Sequence, residues 1–487
     1  MKRELIIGKY TLESLTNGMY ASPLDMYREY IQNAVDSFDN AIEAGLEYPD
    51  KLRIDITIDA EAKSIVIRDN GCGIKADTAI STLLDIGNSQ KSNHTARGFR
   101  GIGRLAGLSY CDKLTFRTSY RGEECCTVIE FNAKLLKDLL LPNSSESVSV
   151  EDVIDRIVTI RTEKEPAFRR YFEVSLEGVW KEAGLINIDS VRDYLIEHAP
   201  LFFSSSFKWG RTIEEKMRLN GYSIPKYHIF LNKDELFKAY GDAFIADRVK
   251  RNCDIIQDVT VEAFYRGETL SAVLWYADTS FFGTIIDNLV KGIRIRQGNI
   301  LIGDKGSCGM LFKEERFNGW MIGELFVLDK DLIANSRRDG FEKNAAYFEL
   351  LEELKSWASG VTRKIRHLSY ERSLSSPQKA IAEAERVDDL SDENALCSED
   401  YGYAEDYSER AFMDQSESDE LAETDFISKL GLLIDQKKAQ TKYVALNINR
   451  KLTIEQRKIL ERVFDLITQE YDQKTADGFV NTISTKF

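Results

Sequence analysis

No stretch of the 487 residues approaches 18 uncharged apolar positions, so no membrane-spanning helix is expected. The basic start Met1-Lys2-Arg3 is followed by only Leu5-Ile6-Ile7, too short an apolar core for a secretory signal, and a cytoplasmic location is expected. Seven cysteines, an odd number at irregular spacing, make neither a disulfide framework nor a zinc pattern. Cys125-Cys126 read as strand residues with reduced thiols. A basic surplus is absent too. Lys and Arg number 65 against 80 Asp and Glu, a net charge of -15, which argues against a uniformly basic nucleic-acid binder. Apolar residues at 43% and charged residues at 30% are ordinary for a globular protein and exclude a wholly disordered or fibrous chain.

The acidity is concentrated. Residues 387–425 hold 15 Asp or Glu against the single Arg410, so this segment carries -14 and leaves about -1 for the rest. It has few aliphatic residues and no helical period, and reads as a disordered acidic linker over 374–425. A small helical module, 426–487, is expected beyond it, with Ile454, Ile459, Leu460, Val463, Phe464 and Ile467 at helical spacing. Upstream, helix and strand signals mix in an α+β pattern. A first domain is expected over 1–185 and a second over 186–373. In the first, Ser22-Pro23 with Asp25 looks like a capped helix start, and Leu24, Ile31, Val35 and Phe38 line one face of that helix. Strands are expected at 52–58, 64–69, 113–118, 127–131, 157–162 and 171–176. The second domain reads as helix at 191–198, strands at 228–231, 260–265 and 293–302, and a closing helix at 344–367.

Three short motifs lie within the first 103 residues. The capped helix carries Glu29-Tyr30-Ile31-Gln32-Asn33-Ala34-Val35-Asp36, whose spacing puts Glu29, Asn33 and Asp36 on one face, about 140° from the apolar stripe. A carboxylate one turn from a carboxamide suits proton abstraction from water beside a hard cation such as Mg2+, and equally suits a solvated polar face. Asp69-Asn70-Gly71-Cys72-Gly73 follows a strand. Its Asp can accept from an exocyclic amine, and its glycines let backbone approach a flat ring; an ordinary turn reads the same way. Gly98-Phe99-Arg100-Gly101-Ile102-Gly103 is a glycine-rich loop that can offer N–H groups to phosphate. No Gly-Lys-Ser/Thr follows it, so it is not a Walker loop, and the polar run 88–97 before it is not the strand of a dinucleotide fingerprint.

In this order and spacing the three motifs resemble the GHKL ATPase superfamily, which includes Hsp90-type chaperones, MutL-type mismatch-repair ATPases, type II topoisomerase ATPase subunits and sensor histidine kinases. The resemblance covers about the first 180 residues and is closest to Hsp90-like proteins. It implies a Bergerat-type α/β sandwich, a mixed sheet covered by helices, followed by an α/β transducer-type domain, with ATP and Mg2+ as ligands. It implies Glu29 as general base, Asn33 as the Mg2+ ligand, Asp69 at the adenine amine and Gly71 and Gly73 along the base pocket, with Asp36 matching the motif. Asn88, Ser89 and Lys91, where a lid would begin, would touch sugar or phosphates, and Gly98, Gly101, Ile102 and Gly103 would donate backbone N–H groups to them. His94 would be a lid surface residue. The Gly98-Phe99-Arg100-Gly101 text is shared with MutL-like lids. The family's Gly-Thr pair in a late strand is missing from the best match, Tyr171-Phe172-Glu173-Val174-Ser175-Leu176; either the match slips or that adenine contact is lost. Asp331-Leu332-Ile333-Ala334-Asn335-Ser336-Arg337-Arg338-Asp339 looks like the loop that delivers an arginine to the γ-phosphate, with Arg338 fitting without a gap and Arg337 with one.

The function expected from the resemblance is an Mg-dependent ATPase clamp that closes a lid, dimerises through its N-terminal domains and remodels a client or partner protein. A DNA-acting ATPase of MutL, MORC or topoisomerase type is the alternative, as is an ATP-gated component of a bacterial stress or phage-defence system. A sensor kinase is disfavoured, since no histidine lies among the 28 residues before Glu29.

Overall fold

The computed structural model describes residues 22–43, 45, 52–85, 103–140, 149–247 and 249–373, with Val463 and Ile467. The 374–425 linker and the 426–487 module otherwise lie outside the described residues; Val463 and Ile467 are helical.

Helix α1 (Asp25–Glu43) starts where the motif places it. The Ser22 hydroxyl accepts from Leu24 N–H, and the Asp25 carboxylate accepts from Ser22 N–H, satisfying donors that the helix start leaves open. Gly45, at φ +66°, takes the left-handed conformation that stops it. Strands β1 (Arg53–Asp59) and β2 (Ser64–Asp69) form the expected hairpin, in register Ile54↔Asp69 to Asp59↔Ser64. Alternation sends Ile54, Ile56, Ile58, Ile65 and Ile67 into the core under α1. Helix α2 (Ala76–Leu84), a 3-10 turn at Gly103–Ser109, β3 (Lys113–Ser119), β4 (Cys125–Asn132), α3 (Ala133–Leu140), α4 (Val150–Ile157), β5 (Val158–Lys164) and β6 (Tyr171–Glu177) complete the first half.

Helices α5 (Ile188–His198) and α6 (Gly210–Leu219) come next, then β7 (His228–Leu231) and β8 (Asp234–Glu235). These two strands return to the first sheet, whose order is β5-β4-β3-β6-β2-β1-β7-β8. β7 pairs with β1 in parallel, Ile54 opposite Ile229, and the other ladders are antiparallel, so this is the expected mixed sheet with helices against it. The strand read at 228–231 therefore belongs to the first sheet, although it lies within the segment assigned to the second domain.

A ribbon of β9 (Ala243–Ala246) and β10 (Asn252–Ile255) leads to a second sheet. It is built from β11 (Asp258–Arg266), β12 (Thr269–Asp278), β13 (Gly292–Gln297), β14 (Ile300–Ile302) and β15 (Ile322–Val327), in the order β11-β12-β15-β13-β14. The stretch read as one strand at 293–302 is a hairpin. Gly298 (φ +57°) and Asn299 (φ +63°) make a two-residue turn with both central residues left-handed. Helix α7 (Ala345–Ser373), its start capped by Asn344 Oδ1 on Tyr347 N–H, packs Leu350, Leu354, Trp357, Val361 and Ile365 on that sheet. Among the described residues no helix is long and apolar enough to cross a membrane, and the cysteines are free thiols.

Candidate functional site

Four segments frame the candidate site; α1, the end of the glycine-rich loop and the loop after β15 meet at the carboxyl group of Glu29, and the end of β2 packs on α1 at Ser37. The first is α1 itself. Twelve of its 19 residues are buried, too many for a helix with one solvated face, so the polar-face reading of Glu29, Asn33 and Asp36 does not hold. The Glu29 side chain is 11% exposed, Asn33 is half-buried and Asp36 is buried.

The second segment is the end of β2. Asp69 sits opposite Ile54 on one side and Phe172 on the other. Its Oδ1 accepts from Gly71 N–H at 2.8 Å. Burial pushes its carboxyl up to about 7, against the pull of Gly71 N–H, Arg68 and Phe172 N–H. The glycines after it are sterically required. A Cβ on Gly71 would lie 2.2 Å from Ser37 Oγ, and one on Gly73, at φ +69°, would lie 2.0 Å from the Ser119 carbonyl oxygen. Side chains from three directions pin this loop. Ser37 Oγ accepts from Cys72 N–H, Thr118 Oγ1 accepts from Ile74 N–H at 2.7 Å, and Asn70 Oδ1 accepts from Arg53 N–H. β6 lies directly beside β2 with Phe172 opposite Asp69, so the late strand is the one matched from sequence, and it carries no threonine there. The buried threonine nearby is Thr118 on β3, across β6, whose hydroxyl donates to the Tyr171 carbonyl. Thr118 and Ser37 went unread because each acts on a backbone group far along the chain.

The third segment is the end of the glycine-rich loop. A Cβ on Gly103 would lie 2.0 Å from Glu29 Oε2, so this backbone packs directly on the carboxylate. The turn it opens is fixed by the buried Tyr30, whose hydroxyl accepts from Gly107 N–H at 3.0 Å. Asn88, Ser89, Lys91, His94, Gly98, Gly101 and Ile102 lie outside the described residues.

The fourth segment comes from after β15. Arg338 Nε lies 3.6 Å from Glu29 Oε1, and Arg337 is exposed. Of the two arginines the sequence left open, Arg338 is thus the one beside Glu29. Its loop is held by three backbone contacts: Arg338 N–H on Asn335 O, Gly303 N–H on Arg338 O, and the Ala334–Phe341 bridge. A fourth contact comes from Arg28 on α1, whose Nη2 donates to the Arg337 carbonyl at 3.2 Å. Arg28 also lies 3.8 Å from Glu29 and 3.4 Å from Asp25. It was missed from sequence, although polar residues at 25, 28, 32 and 36 repeat at helical spacing.

Among the described residues no three His, Cys, Asp or Glu side chains gather into a metal cage. A single carboxamide at Asn33 suits Mg2+, which keeps waters and takes phosphate oxygens rather than filling a protein cage.

Residues 29–155 match the family model described as Histidine kinase-, DNA gyrase B-, and HSP90-like ATPase. This part of the chain is thus similar to GHKL ATPase domains of the Hsp90-like kind. It is 31% identical over 129 residues to chaperone protein HtpG of Acinetobacter baylyi, a match covering 23% of this chain and 20% of that protein. It is 28% identical over 134 residues to chaperone protein HtpG of Escherichia coli K12, covering 24% and 22%. The matched region thus spans about a fifth of the length of these curated relatives.

Proposed function

We propose that the chain binds ATP with Mg2+ and hydrolyses it with water activated by Glu29, and that this cycle drives an Hsp90-like clamp that remodels a partner protein. The observation that carries the reading is the convergence on Glu29, with the Gly103 backbone against one carboxylate oxygen and Arg338 3.6 Å from the other. In this reading Asp69 accepts the exocyclic amine of adenine, and Gly71 and Gly73 keep the base pocket flat. The sheet-end position of Asp69 and the steric need for both glycines support those assignments. Asn33 would hold Mg2+, which when bound neutralises phosphate charge. Glu29 takes the proton of the attacking water. Arg338 donates to charge growing on the transferred phosphoryl group, as an arginine delivered from a second domain does in phosphoryl transfer. Gly103 would add a backbone N–H to the phosphates, with Asn88, Ser89, Lys91, Gly98, Gly101 and Ile102 in the lid. ATP-dependent association of two N-terminal domains and action on a client are suggested by the likeness to HtpG and belong to the same proposal.

The decisive experiment is Glu29→Ala assayed for both binding and turnover. Binding should persist while kcat falls by about 100-fold or more, the usual weight of a positioned general base. Turnover as fast as wild type would remove Glu29 from the mechanism. Arg338→Ala should cut kcat strongly, and Arg337→Ala, whose side chain is exposed, far less.

A further inference from the structure

Helix α1 carries a second polar stripe beside the Glu29 face, and Asp36 is common to both. Asp25, Arg28, Gln32 and Asp36 repeat at spacings of three and four, and all are buried. Part of the cover over this stripe is α5. The Tyr194 hydroxyl donates to Asp25 Oδ1 at 2.9 Å, and Tyr27 on α1 donates to the Leu185 carbonyl just before α5. The Asp25 carboxylate therefore serves three partners: Ser22 N–H at the helix start, Tyr194, and Arg28. Arg28 in turn faces Glu29 and holds the Arg337 carbonyl. A chain of contacts thus runs from Tyr194 through Asp25 and Arg28 to both Glu29 and the loop that carries Arg338.

The other end of α5 grips the second sheet. The Glu197 carbonyl accepts from Arg296 at 2.9 Å, and the Glu197 carboxylate lies 3.4 Å from Arg294. Both arginines are on β13 and fully buried, and Arg296 pairs with Glu324 on β15. Tyr194 and Glu197 are three residues apart, one turn of a rigid helix. The ring of Tyr194 stacks on His198 at 3.9 Å, and a phenylalanine would fill that space equally well. What the hydroxyl adds is the link to Asp25. Burial raises the Tyr194 hydroxyl well above the ordinary tyrosine range, so it stays a donor at working pH.

We propose that Tyr194 is a positioning residue for Glu29 and the Arg338 loop, and that α5 is the connector through which the second sheet sets their geometry. The inference rests on the hydrolytic reading of Glu29 for its effect on turnover, and its effect on the loop stands apart from that reading.

The experiment uses Tyr194→Phe in the full chain, with two readouts. ATP turnover should show kcat reduced about tenfold, the weight of one hydrogen bond to a carboxylate, with KM for ATP changed less than about twofold. Amide hydrogen exchange without nucleotide should be faster at Asn335, Arg338 and Gly303, whose N–H groups hold the loop together. Asp25→Asn, which keeps the volume and a capping oxygen, attacks the same link from its other end and should give both changes. The double variant should be no worse than either single one, since both break one chain of contacts. Unchanged loop exchange in Tyr194→Phe, or additive losses in the double variant, would overturn the proposal. If Glu29→Ala turned over as fast as wild type, the hydrolytic reading would fall, and loop exchange alone would then decide whether Tyr194 positions the loop.

Discussion

Asp69 is a carboxylate held out of water, with Gly71 N–H on its Oδ1 and its pKa pushed up to about 7 by burial. Between its ordinary value of 3.8 and about 7 the folded protein holds a proton that the unfolded chain releases. Stability of the nucleotide-free protein therefore declines as pH rises through that window, and the deficit is complete above it. At about 1.4 kcal/mol per pKa unit the shift corresponds to roughly 4 kcal/mol, a ceiling that local relaxation lowers. Asp69→Asn keeps an oxygen for Gly71 N–H and removes the charge. It should melt higher than wild type at pH 8, with the gap closing toward pH 5, while ATP affinity measured by calorimetry drops. Parallel melting curves of the two proteins across that range would refute the assignment of the cost to Asp69. A residue built at the expense of stability is where function would be sought even without a motif.

Helix α1 shows which parts of the candidate site were legible in the sequence. Its start, its apolar stripe and Glu29 with Asn33 could be read because they depend on residues within one or two turns of each other. Asp69, Gly71 and Gly73 were legible for the same reason, as a local pattern after a strand. Arg28 was not, because its partner carbonyl lies 309 residues further on. Tyr194 was not, because its carboxylate lies 169 residues back. The burial of Asp25, Arg28, Gln32 and Asp36 on α1 depends on segments that composition and periodicity cannot bring together. Gln32, on that side, is fully buried, and neither polar atom of its carboxamide has a hydrogen-bond partner among the described residues. Such a group costs about 1–3 kcal/mol when left unsatisfied. Gln32→Met, close in length and volume, should therefore raise the midpoint of denaturant unfolding by the equivalent of about 1 kcal/mol. A lower midpoint would mean that the amide is paired in solution, by a trapped water or a rotated neighbour.

At the scale of the whole molecule, the sequence suggested two domains meeting near residue 186, and the two sheets interleave more than that. α5 spans from Asp25 to Arg296, and β7 completes the first sheet from within the following segment. The buried charge cluster of the second sheet centres on Glu324, whose carboxylate meets Lys238 from the segment after β8, Arg296 on β13 and Trp275 Nε1–H on β12, with essentially no exposure to water. Burial would raise the Glu324 carboxyl, but Arg296 and Lys238 outweigh it and hold it near 2. Burial, with Arg296 close by, pulls Lys238 below the ordinary lysine range, and the Glu324 carboxylate opposes that pull. One carboxylate thus balances two cations here, and removing it leaves buried positive charge without a partner. Breaking such a buried pair typically costs about 3–5 kcal/mol, far more than losing an exposed one. Glu324→Gln keeps the shape, so its effect isolates the charge. The variant should unfold at markedly lower denaturant. Because Arg296 also holds the Glu197 carbonyl, hydrogen-exchange protection should fall in α5 as well as in β13 and β15. A loss confined to β13 and β15 would mean that the Arg296 bond to the Glu197 carbonyl does not depend on the Glu324 charge. A midpoint within about 1 kcal/mol of wild type would mean that the charges are tolerated without one another. Either result would make the hold of α5 on the second sheet independent of the Glu324 charge.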